Sequence, residues 1–179
     1  AEYFGTAVRT TVGSGAYMYV SNYGRAAATE IRPGGTQFVS LGGAVTSTNI
    51  SGWQMLSNGC SALNTTVHSG AWQYIRYACS ASDATVMGGG SLHVSQNCTY
   101  GGIRVSEGGW LGVYEASEVA SVTVASAGKF LLSRYCTASS VTVASGGSFL
   151  VYSGASAFAV TSSAGANITV ETGGYIEYV

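Results

Sequence analysis

Apolar residues recur along this chain in two columns of fixed spacing. Val12, Ile31, Ile50, Val67, Val86, Val105, Val124 and Val143 lie 19 residues apart, except that Ile50 to Val67 is two residues short. Eight residues after the first column comes a second: Val20, Val39, Ile75, Val94, Val113, Leu132 and Val151, with Leu56 arriving two residues early in the short copy. The repeat is plainest where residues 121–132, SVTVASAGKFLL, return as residues 140–151, SVTVASGGSFLV. A unit repeating at such a period cannot bury its apolar face alone, so copies must stack to make a core.

Around both columns the apolar residues alternate with others, which is strand periodicity. A glycine turn separates the columns, as at Gly34-Gly35, Gly89-Gly90, Gly108-Gly109 and Gly146-Gly147; the short copy loses its two residues here. A second small-residue turn follows the second column, as at Gly24, Gly42-Gly43, Gly59 and Gly154. Two short strands and two corners per repeat predict an all-β fold, a parallel β-helix or β-solenoid of about nine coils with 19 residues per coil. At about 4.8 Å per coil the rod would be roughly 40–45 Å long. The chain is expected to be one solenoid domain over residues 1–179, with an irregular insertion within 153–167 ahead of Ile168-Thr169-Val170. Residues 1–8 read as the later half of a coil.

The pattern V-x-S-G-G-x-x-x-V-x-x-G-G-x-A resembles the AIDA-type repeats of bacterial autotransporter adhesins, and residues 31–47, IRPGGTQFVSLGGAVTS, are its best copy. The resemblance covers nearly the whole chain. It implies a β-helical passenger at the bacterial cell surface, extracellular, acting in adhesion, aggregation or biofilm formation; some members carry heptose on serines. This chain has more aromatic residues and cysteines than the usual Ser/Thr/Asn-rich copies.

Those aromatics fall in register. Counting from the first column as position zero, positions five and seven hold Tyr17, Tyr19, Phe38, Trp53, Trp72, Tyr74 and Trp110, joined by Met55 and Tyr175. With positions six and eight facing inward, strand alternation turns five and seven outward, giving an aromatic stripe along one face. Such a stripe serves either to stabilise neighbouring coils or to dock a partner: a second copy of the chain, a host or bacterial surface protein, or a glycan. Position six holds Gln37, Gln54 and Gln73 in three successive coils, which predicts a side-chain amide ladder.

All four cysteines, Cys60, Cys79, Cys98 and Cys136, share one repeat position, four past the second column. Neighbouring coils would bring Cys60 to Cys79, or Cys79 to Cys98, within disulfide range. The alternative is a ladder of buried thiols. Thr11, Thr66, Thr85, Thr123, Thr142 and Thr169 stand one before zero, a column that strand propensity explains better than ice binding does.

Only 8% of the residues are charged and the net charge is -1, which gives no electrostatic reason to expect nucleic acid or an anionic membrane surface. No run approaches the roughly 18 apolar residues of a membrane helix, and no membrane insertion is expected. His68, His93, Asp83 and the scattered glutamates share no column, so neither catalysis, a metal site nor a cofactor is expected. The two readings of function are an extracellular adhesion or self-association protein, and a structural subunit stacking end to end into a filament.

Overall fold

The computed structural model describes residues 5–179. All strands are parallel and fall into two sheets, one of 12 and one of 9 strands, with each strand paired to its equivalent one coil away. Tyr74 lies opposite Met55 on one side and His93 on the other. The fold is a β-solenoid of about nine turns at 19 residues per turn. The short copy pairs in step because its corner is tighter: Ile50 aligns with Val67 and Gln37 with Gln54. Thr6–Val8 pairs with Arg25–Ala27 as half a coil, while the rest of that expected half coil, residues 1–4, lies outside the described residues.

Each coil has three arms rather than two. The four-residue strand, such as Trp72–Ile75, is one. The seven-residue strand, such as Ser61–Val67, supplies the other two, because it bends in its middle. The bend residues form a column, Arg9, Ala28, Ser47, Asn64, Asp83, Gly102, Ser121, Ser140 and Ala159, all with φ between 51° and 66°. Left-handed backbone costs a non-glycine residue about 1 kcal/mol or more. Here the bend amides are held by the next coil, as Arg9 N–H donates to Ala27 O at 2.9 Å and Ala28 N–H to Thr46 O at 3.0 Å. Glycine marks the other corners, but at this one only Asn64, Asp83 and Gly102 carry turn chemistry, so the alternation read straight through it.

The interior is filled by the two apolar columns, by position six, and by residues from the two bent arms, among them Tyr100, Ile103, Val122, Val141 and Val160. Phe130 and Phe149 stack inside at 4.5 Å. Burying each large side chain contributes roughly 1.5–3 kcal/mol. At the first corner the chain passes close to the preceding coil: a Cβ at Gly109 would lie 2.6 Å from Val86 O.

The expected insertion within residues 153–167 is absent. Ser162 aligns with Val143 and Val170 with Val151, so the 19-residue register runs on through this stretch, and it slips by one residue only in the last strand, where Val160 pairs with Tyr178. The alignment was hidden because a polar residue, exposed in the last full coil, occupies the first column. Two assignments shift with it. Thr169 pairs with Leu150, leaving Thr161 in the threonine column, and Tyr175 pairs with Ser156 on another arm, where it meets Phe158 at 5.7 Å.

Candidate functional site: an aromatic face

The four-residue strands carry the stripe. In Trp72–Ile75, Gln73 and Ile75 are buried while Trp72 and Tyr74 face outward, and the same alternation holds from coil to coil. Tyr17 and Tyr19 flank Phe38 at 6.4 and 5.3 Å; Trp53 stacks on Trp72 at 6.1 Å, and Trp72 lies 5.8 Å from Tyr74. Between the two groups Met55 accepts a contact from the Arg76 guanidinium at 3.3 Å. Of the expected residues, Trp53, Trp72, Tyr74 and Trp110 are joined in one stack through His93, considered from sequence only for catalysis, while Tyr17, Tyr19 and Phe38 form a second stack. His93 sits 4.6 Å from Tyr74 and 4.5 Å from Trp110, and Tyr114 closes the series 6.0 Å beyond His93.

The histidine had a legible signal, since it occupies position seven like Tyr19, Phe38 and Tyr74. Burial among the rings pushes its imidazole down to about 4, so it is neutral at pH 7 and behaves as another aromatic rung. Tyr114, at position nine, had none, because that column holds serine in most coils.

Ring geometry decides what this face offers. Most of the neighbouring planes lie within 23° of parallel at centroid separations of 4.6–6.1 Å. Coplanar rings set side by side would collide at such distances, so the rings overlap face to face in offset stacks. Ring faces are largely consumed within the ladder, and edges are turned to solvent. Tyr17, Tyr19 and Trp53, 66%, 70% and 48% exposed, lie toward the N-terminal end.

Gly112 shapes the other end. A Cβ there would lie 2.3 Å from Trp110 Cη2 and 2.6 Å from the Tyr114 hydroxyl, so both side chains fold down over the bare backbone. Gly112→Leu, which restores the residue found at 131 and 150 in the same column, is expected to cost about 1–3 kcal/mol through overpacking. The indole and phenol would be lifted off the sheet, and a red shift of tryptophan emission with unchanged far-ultraviolet circular dichroism checks it.

Under the face, the glutamine ladder forms as its spacing predicts. Gln54 Nε2 donates to Gln37 Oε1 and Gln73 Nε2 to Gln54 Oε1, both at 2.7 Å, and Gln37 Nε2 reaches the Met18 sulfur at 3.3 Å. The chain of amides ends at Gln73 Oε1, which receives no donor where Leu92 follows.

The cysteines line a corner as four free, buried thiols. Cys60 N–H donates to Cys79 Sγ at 3.2 Å, Cys79 N–H to Cys98 Sγ at 3.3 Å, and Cys98 N–H to Ser117 Oγ at 3.2 Å. The sulfurs thus satisfy corner amides of the preceding coil. The hydrogen bond with Cys79, then burial, pushes the Cys60 thiol up, and burial does the same to Cys136. Among the described residues no group of three or more His, Cys, Asp or Glu side chains is placed to hold a metal ion.

No protein-family model and no curated protein sequence matches the chain. A match does come from solved structures. The coils superpose on a crystal structure of a TibC-catalyzed hyper-glycosylated TibA fragment, residues 55–350, at a TM-score of 0.61 and 25% identity, covering 98% of this chain and 82% of that one. Repeat pattern, coil length and superposition agree: the chain is an AIDA-type repeat β-helix. It is in that sense an adhesin-like β-solenoid.

Proposed function

We propose that this solenoid is an extracellular part of a bacterial cell-surface protein, and that it acts without catalysis, in adhesion or self-association through its aromatic face. The observation that carries the reading is the stacked series from Trp53 through Trp72, Tyr74 and His93 to Trp110 and Tyr114, a rigid apolar band on a surface with few charges. A ladder held this way has little side-chain entropy left to lose on docking, which favours binding over an equally apolar but mobile patch. Likeness to the TibA fragment supports placement at the cell surface. The edge-out geometry favours a protein partner, or a second copy lying laterally, over a sugar laid along the whole band.

Replacing Trp53, Trp72 and Trp110 together with alanine is expected to abolish adhesion to cells and concentration-dependent association, with the β-sheet circular dichroism retained. Light scattering and cell-binding assays of both proteins check this. If association survives the triple change and electron micrographs show uniform end-to-end filaments, the aromatic face is not the interface and the filament reading takes its place.

A further inference from the structure

The aromatic ladder stops abruptly at Tyr114. In the next coil position five is Lys129, position seven Leu131 and position nine Ser133, so no ring of that coil stacks on Tyr114, and the next ring in its column is Tyr152, two coils on. An open cleft of about 490 Å³ lies at this end, lined by Tyr74, His93, Ser95, Tyr114, Ser133 and Tyr135, with Glu115 and Arg134 at its rim. Here, unlike within the ladder, a ring has a face free of its own stack.

The polar groups are as specific as the ring. Glu115 and Arg134 occupy the same corner position in adjacent coils, both exposed, and no salt bridge joins them. Arg134 instead lies over the Tyr135 ring at 5.9 Å. His93 Nε2 is buried without a hydrogen-bond partner. Serine hydroxyls at 95 and 133 lie on either side of Tyr114. An aromatic platform beside one anionic acceptor, one cationic donor and small hydroxyls matches a ligand that is apolar on one face and carries neighbouring hydroxyls on its edge.

We propose that this cleft is a carbohydrate subsite for a neutral hexopyranose residue. The apolar face of the sugar ring packs on Tyr114, one hydroxyl donates to the Glu115 carboxylate, and a vicinal hydroxyl accepts from the Arg134 guanidinium. The pairing argues for a neutral sugar, because a carboxylated one would bring its charge against Glu115 as well as Arg134. The inference rests on the reading of this chain as an adhesion protein, and it names a ligand class for one end of the same face.

The test uses the whole chain with defined probes: gluco-, galacto- and manno-configured tetrasaccharides, and a sialylated trisaccharide. Saturation-transfer NMR and tyrosine fluorescence would read binding. At least one neutral tetrasaccharide is expected to bind saturably, with affinity about tenfold weaker in Glu115→Gln and lost in Ser133→Trp, which fills the cleft while leaving Tyr114 in place. No saturable binding of any neutral probe overturns the proposal. So does binding that both variants leave unchanged, or binding of the sialylated probe alone. Self-association that persists in Ser133→Trp but is lost in the triple tryptophan variant would keep the aromatic-face reading while the sugar result is judged separately.

Discussion

Gln54→Leu is expected to destabilise the solenoid by about 2–5 kcal/mol, and replacing all three glutamines with leucine is expected to cost far less. The single change strands Gln37 Oε1, which loses its donor, and leaves Gln73 Nε2 with only the long 3.5 Å contact to Thr65 Oγ1 in place of its 2.7 Å acceptor. Each buried polar group left without its partner costs about 1–3 kcal/mol. Changing Gln37, Gln54 and Gln73 together removes both sides of each amide–amide pair and also the orphan Gln73 Oε1, leaving only the weaker acceptors Met18 Sδ and Thr65 Oγ1 without their donors. Leucine already fills this column at Leu92 and Leu111, both fully buried. Replacing both partners by apolar groups of similar size is close to neutral or stabilising. Urea titrations of the four proteins check the order: a triple variant less stable than Gln54→Leu would mean that the ladder itself, rather than polar satisfaction, holds these coils together.

Acid is expected to loosen the aromatic face before it unfolds the rest. His93 titrates near 4 in the folded chain because burial disfavours its charged form, whereas an unfolded histidine titrates near 6.5. The folded state therefore binds fewer protons between these values. Its full stability is present above about pH 6.5 and is lost progressively as pH falls toward 4, by about 1–3 kcal/mol once screening by the solvent that reaches this half-buried ring is allowed for. In a chain of this length that corresponds to a drop in Tm of roughly 3–10 °C. His93→Phe keeps a ring between Tyr74 and Trp110 and removes the titration, so its Tm should fall less over the same range by that amount. Equal pH profiles for the two proteins would show that the imidazole is solvated in the folded chain.

The same residues show where reading the chain was sufficient. Spacing alone aligned Gln37 with Gln54 across a two-residue deletion, and placed the deletion in the glycine corner, because a β-ladder pairs like with like one coil away. Position parity turned Trp72 and Tyr74 outward and Gln73 inward. His93 sat in a column already identified, but a single titratable residue among rings reads as chemistry until its neighbours are known to desolvate it. Tyr114 was beyond reach for a different reason: it belongs to position nine, and only the bare backbone at Gly112 lets its phenol lean across to join the stack.

The sequence by itself determined the period, the parallel pairing, two core columns with position six between them, and the outward rings from Tyr17 to Trp110, because each follows from a residue's place in a repeat; it misplaced Tyr175 and missed the core residues of the bent arms. Tertiary structure decided the third corner, since left-handed backbone at Arg9 and Ala28 is held by hydrogen bonds to the adjacent coil and not by the residue type, and Ser47, Ser121 and Ala159 take the same conformation in the same column. It decided the continuity of the last coils, where Ser162 stands in an apolar column that is exposed. It also decided the character of the face, because whether aromatic neighbours offer faces or edges depends on ring tilt, which is set by packing between coils and has no signature in spacing.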